Sequence, residues 1–234
     1  MNQNYGLMGR RSFLNLTGGS MVAAAVTGSA FWNMQPAQAI AAELLNPDTA
    51  LKRLMDGNKR FVLQLGEHPN QSRARIKEVA QAQHPFAALL SCADSRVPPE
   101  ILFDEGIGDL FDIRVAGNIV TPEVLGSLEY AVELLGTPLI MVLGHERCGA
   151  VTAAVQGKVL SGHIGSFVKA IKPAISKIEG ESDELVDNAV VANVQYQIEK
   201  LKQNSTILSQ QLLDGKLKIV GGRYDLDTGE VTLI

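Results

Sequence analysis

Two cysteines, Cys92 and Cys148, and one histidine, His145, carry the chemistry most readily read from this sequence. Cys92 opens the run Cys92-Ala93-Asp94-Ser95-Arg96, and Cys148 sits in Gly144-His145-Glu146-Arg147-Cys148-Gly149. His145 and Cys148 are three residues apart, a spacing that one turn of chain brings onto one face. Joined by Cys92 they make a Cys₂His set, which suits zinc and leaves one coordination position open. Other readings compete. The two cysteines can pair as a disulfide, the usual state in an oxidising compartment, but a sulfur bridge accounts neither for His145 nor for Asp94 and Arg96. They can be inert buried thiols, although both sit at polar ends of apolar runs. They can also belong to a closed structural zinc site with Asp94 as fourth ligand, though such sites mostly serve small domains that lack a core.

Asp94 and Arg96, two residues apart on a loop, would ordinarily read as a surface ion pair. Next to a zinc ligand the reading changes. A carboxylate held by a bidentate guanidinium is oriented and kept ionised, ready to accept a proton from water at the metal.

The elements around these motifs place them. Residues 84–92, 109–117 and 138–145 are short, near-continuous apolar runs, the pattern of buried parallel strands. Both cysteine motifs follow directly on such runs. A helix is predicted over 47–65, with Asn46 as N-cap and Pro47 in the first turn, and another over 121–136, capped by Thr121 and stopped by Gly136. Further helices are predicted from near Cys148, over 164–178 and over 184–203. A closing strand pair, 218–226 and 230–234, turns at Asp227-Thr228-Gly229. Alternating strands and helices predict an α/β fold on a mainly parallel central sheet flanked by helices. In such sheets ligands bind at the carboxyl ends of the strands.

The chain has 234 residues, of which 46% are hydrophobic and 20% charged, enough for one domain or two. A net charge of −4 and only 5% aromatic residues give no basis for nucleic-acid binding. Residues 9–14, Gly-Arg-Arg-Ser-Phe-Leu, look like a twin-arginine export signal. An uncharged stretch from Met21 to Trp32 follows, then Ala37-Gln38-Ala39, an ending of the kind signal peptidase cuts. Residues 1–39 are therefore expected to be a signal peptide and 40–234 the functional domain, exported to the periplasm or another extracytoplasmic compartment. An uncleaved N-terminal anchor is the alternative. No stable membrane span is expected in the mature form.

These residues resemble the β-carbonic anhydrases. The Cys-x-Asp-Ser-Arg segment, the run Arg114-Val115-Ala116-Gly117-Asn118 and the Gly-His-x-x-Cys-Gly segment match that family's pattern, and the match extends from about residue 47 to the Tyr-Asp-Leu-Asp-Thr-Gly-Glu-Val ending. The resemblance implies that Cys92, His145 and Cys148 bind one zinc per chain, that Asp94 and Arg96 form a catalytic dyad, and that Asp94 can swing onto the metal as a fourth ligand in a closed state. It also implies the plant-like style of site: Gln83 hydrogen-bonding substrate oxygen, and Phe111 and Tyr130 lining the pocket. The aromatics alone would read as core. Ala116 departs from that style, where a bulkier aliphatic is usual.

The implied reaction is reversible hydration of CO₂ to bicarbonate and a proton through zinc-bound hydroxide, by a homodimer or higher even oligomer in which pocket residues cross between subunits. A zinc hydrolase of a CO₂ isostere such as CS₂ or COS, a non-catalytic bicarbonate- or zinc-binding protein, and a redox dithiol are the alternatives.

Overall fold

The structure is a computed structural model and describes residues 45–176, 178 and 182–234. The expected signal peptide and its cleavage point lie outside the described residues.

The chain runs α1 (Pro47–Val62), α2 (Arg73–Val79), β1 (Ala87–Ser91), α3 (Pro99–Leu102), β2 (Leu110–Arg114), α4 (Pro122–Glu133), β3 (Leu139–His145), α5 (Gly149–Val155), α6 (Gly165–Ile175), α7 (Ser182–Asn204), α8 (Thr206–Leu213), β4 (Lys218–Tyr224) and β5 (Val231–Leu233). The strands form one sheet in the order β2-β1-β3-β4-β5. β1 pairs in parallel with β2 and β3, β3 in parallel with β4, and only β5 is antiparallel.

Both faces of the sheet are covered, which explains the unbroken apolar runs. Ala88 and Leu90 of β1, with Ile140 and Val142 of β3, pack into a core shared with α4, α7 and α8. Their neighbours Ala87, Leu89, Leu139, Met141 and Leu143 face the other way, into a core with Ala50 and Leu54 of α1 and Phe103. The period-two alternation of a strand thus divides each run between two helix layers. Gly144 lets α7 lie close on the sheet: a Cβ there would meet Val194 Cγ2 at 2.7 Å and Val190 Cγ1 at 2.9 Å.

The predicted α/β architecture holds, with shifts at element ends. The first helix stops at Val62 rather than 65, because Leu63 caps it and Gln64 turns to φ 56°. The second strand stops at Arg114, and residues Ala116–Asn118 form a 3₁₀ turn instead of extending it. Three helices lacked a readable signal. α2 buries no residue, α3 is four residues long, and α8 buries only Leu208.

Candidate metal centre

Cys92 directly follows β1, His145 is the last residue of β3, and Cys148 is the N-cap residue of α5. β1 and β3 are neighbours, with Ser91 alongside Leu143, so their carboxyl ends bring the two motifs side by side. The ligand atoms of Cys92, His145 and Cys148 lie within 4.8 Å of one another. All three residues are buried, at 5%, 0% and 1% exposure.

The imidazole is set for a cation. His145 Nδ1 lies 2.8 Å from the Glu146 carbonyl oxygen. A carbonyl only accepts, so Nδ1 carries the proton and Nε2 presents its lone pair. That Nε2 is buried and has no hydrogen-bond partner among the described residues. A buried acceptor left unpaired beside two sulfurs is costly unless something electropositive sits there. The thiols agree. The Cys148 side chain, beside the Cys92 sulfur, holds that thiol well below the ordinary range, to about 4, with help from the Gly117 amide. Sharing that proton, together with burial, pushes Cys148 up. The pair therefore parts with one proton readily, and a divalent cation in place of the remaining one fits the chemistry of the donor set.

Asp94 stands beside this set on the Arg96 guanidinium. Arg96 Nε and Nη2 donate to Asp94 Oδ1 and Oδ2 at 2.9 and 2.8 Å, and the Arg96 amide donates to Oδ1 at 3.0 Å. This bidentate grip holds the Asp94 carboxyl well below the usual carboxylate range. Its Oδ2 is 3.9 Å from His145 Nε2.

Several residues that support the site had no signal in the sequence. Arg114 donates from Nε to the Cys92 carbonyl at 3.1 Å and from Nη2 to the Asp94 carbonyl at 2.5 Å, clamping the loop that carries both. Glu146 is locked by Arg223, whose Nη2 donates to Glu146 Oε1 at 2.6 Å while its Nε donates to Asp187 Oδ1 at 2.7 Å. The Glu146 backbone is itself held on β4, its amide donating to the Tyr224 carbonyl at 3.0 Å. Arg114 begins the run that carries the resemblance, which was the one available hint.

Gln83, Phe111 and Tyr130 stand elsewhere. Gln83 and Tyr130 line a cleft of about 600 Å³ with His84, Leu134 and Leu135, and neither Asp94 nor any of the three donors lines it. The Phe111 and Tyr130 rings are 6.2 Å apart and tilted by 36°. The register explains the separation. Phe111 pairs with Ala88, whereas Arg114 pairs with Ser91 at the carboxyl end. Three residues of strand set Phe111 back by about 10 Å. Within one chain these three residues therefore stand apart from the metal donors. β2 is an outer strand of the sheet, and Tyr130 beside it is 44% exposed. No described helix is long and apolar enough to cross a membrane.

The family model described as carbonic anhydrase matches residues 87–231 of this chain. A carbonic anhydrase of Mycolicibacterium smegmatis is 43% identical over 192 residues, covering 80% of this chain and 93% of that protein. Carbonic anhydrase 2 of Mycobacterium tuberculosis is 41% identical over 194 residues, with the same coverage of 80% and 93%. The solved β-carbonic anhydrase of Coccomyxa superposes with a TM-score of 0.63 at 28% identity, covering 79% of this chain and 86% of that one.

Proposed function

The chain belongs to the carbonic anhydrase family and has the β-class fold, and we propose that it hydrates CO₂ reversibly to bicarbonate at one zinc ion held by Cys92, His145 and Cys148. The observation that carries the zinc assignment is the buried, unpartnered Nε2 of His145 converging with two thiols. Zinc bound there supplies a Lewis acid that makes water nucleophilic near neutral pH.

The chain's own groups do the rest. Cys92, His145 and Cys148 occupy three positions and leave the fourth to the reactants. Asp94, kept ionised by Arg96, accepts a hydrogen bond from the attacking water and orients its lone pair toward carbon. Arg114 keeps the loop bearing Cys92 and Asp94 in register. Asp94 is also the residue that would close the site, were it to leave Arg96 for the metal.

The apolar pocket for CO₂ is completed by a second copy of the chain. The outer edge of β2 pairs with its counterpart, and Gln83, Phe111 and Tyr130 of one subunit serve the donors of the other. The exposure of Tyr130 and a cleft lining that includes none of the donors support that arrangement. Residues 1–39 direct export through a twin-arginine route, and the enzyme works outside the cytoplasmic membrane.

The test is metal content beside stopped-flow CO₂ hydration, with Cys148→Ser as control. One zinc per chain and hydration abolished in the variant are expected; zinc without hydration would refute the activity. Replacing Arg10 and Arg11 by lysine should leave the protein in the cytoplasmic fraction, and unchanged export would reject the route.

A further inference from the structure

Asn193 and Gln197 lie four residues apart on α7, with Lys200 three residues further, so these polar side chains form one stripe along the helix. The stripe faces inward: Asn193 is 1% exposed and Gln197 fully buried. Buried amides are costly unless paired. Here all three side chains reach one stretch of backbone, the loop from β2 to α4. Asn193 Nδ2 donates to the Gly117 carbonyl at 2.9 Å, and Gln197 Oε1 accepts from the Val120 amide at 2.9 Å. Lys200 Nζ donates to the Val120 carbonyl at 2.8 Å, and Gln197 Nε2 donates to Asn193 Oδ1 at 2.9 Å, tying the stripe together.

The clamped loop bears directly on the metal donors. The Gly117 amide donates to Cys92 Sγ at 3.4 Å. Gly117 holds φ at 72°, and a Cβ there would meet Ile171 Cδ1 at 2.7 Å and Ala150 Cβ at 3.1 Å. Gly117 is therefore wedged against α5 and α6 on one side, while its carbonyl is gripped by Asn193 and the loop beyond it by Gln197, both of α7. An N–H aimed at a thiolate draws charge from the sulfur and fixes its orientation, so it sets how strongly that sulfur donates to a metal.

We propose that Asn193 and Gln197 are positioning residues for Cys92: by fixing the backbone from Gly117 to Val120 they hold the Gly117 N–H on the sulfur and thereby set the orientation and donor strength of that ligand. The proposal rests on the zinc reading of the site. Neither residue touches substrate or metal. They act across a helix, a loop and one backbone amide.

Full-length Asn193→Leu and Gln197→Leu test it. In chelator competition each should bind zinc about 10–100-fold more weakly than the parent, because the loss of a fixed sulfur position outweighs the gain in its basicity. In the cobalt(II)-substituted proteins the sulfur-to-metal charge-transfer band should move to longer wavelength, because the lone pair loses its N–H. Gln197→Glu keeps an acceptor for the Val120 amide and should bring the band back toward the parent position. Should the leucine variants fail to fold, the cadmium-113 form of the parent protein still decides. A scalar coupling between the metal and the Gly117 amide proton, transmitted through N–H···S, is expected. Folded variants with unchanged affinity and an unmoved band would overturn the proposal, as would a missing coupling in the parent. A parent protein that binds neither zinc nor cobalt through sulfur would sink the zinc reading, and this proposal with it.

Discussion

The carboxyl ends of β1 and β3 and the outer edge of β2 differ in how much one chain completes. At the first, the arrangement is closed from within. Three buried donors converge, Glu146 fixes the imidazole, Arg114 clamps the loop and Arg96 grips Asp94. At the second, Tyr130 is 44% exposed, and Asp112 keeps a buried Oδ1 without a partner among the described residues. One region is preorganised, as a site that stabilises developing charge must be. The other is left open, as an edge strand that awaits a partner would be. Chemistry is thus built into one chain, while the proposed second subunit would complete its surroundings.

The largest expected effect comes from dismantling the closed region. Cys92→Ala or His145→Ala should drop bound zinc from one per chain to none and cut CO₂ hydration by about 10³-fold or more, as metal analysis and stopped-flow rates would show. A zinc-replete His145→Ala protein would break the assignment of the donors. Next comes Asp94→Asn, which keeps the shape and loses the charge. It should retain zinc and lower kcat by about 10²–10⁴-fold, the usual worth of a positioned acid or base. Near-parental kcat would remove Asp94 from the reaction and leave its bond to Arg96 as scaffolding.

A mixing experiment addresses the open region. Tyr130→Ala with Gln83→Ala should retain zinc, yet lose activity by about 10–100-fold. Cys148→Ser should be inactive while keeping an intact β2 edge. If each site draws on both subunits, unfolding and refolding the two variants together should restore about a quarter of parental activity. Half of randomly formed dimers are mixed, and in those one site of two combines intact donors with an intact edge. No recovery in protein shown to be mixed would place the whole pocket within one chain and break the contrast between the two regions.

How much of this was legible in the sequence follows the same division. Strands buried on both faces leave continuous apolar runs, so β1 and β3 and the motifs at their ends could be placed from residue type and order alone. The donors were legible because only two cysteines exist and both follow such runs. The support for the donors was not. Asn193 and Gln197 bond to backbone atoms 76 and 77 residues away, and Arg114 grips carbonyls rather than side chains. Backbone partners leave no mark on residue identity, and helix spacing reads the stripe on α7 as scaffold. Phe111 and Tyr130 show the opposite case. Their identities suggested a pocket, but the register of β2 sets them away from the donors of their own chain.

The smallest expected effect is a change in stability with pH, and it comes from the open edge. Burial, reinforced by the Glu100 carboxylate against it, pushes Asp112 up to about 8, with Arg114 opposing. An unfolded aspartate titrates near 3.8. Between those values the folded chain holds a proton that the unfolded chain has released, so stability must fall as pH rises through this window. Asp112→Asn removes the titration while keeping the neutral shape. Parent and variant should therefore be alike near the lower end, and the variant should be more stable by about 1–3 kcal/mol at the upper end. That range lies well below the full linkage value because the side chain is partly exposed. Urea unfolding across the window measures the difference directly. A difference that stays flat with pH would mean that Asp112 is ionised in the folded protein with its charge already satisfied, which would make the β2 edge as complete as the metal centre.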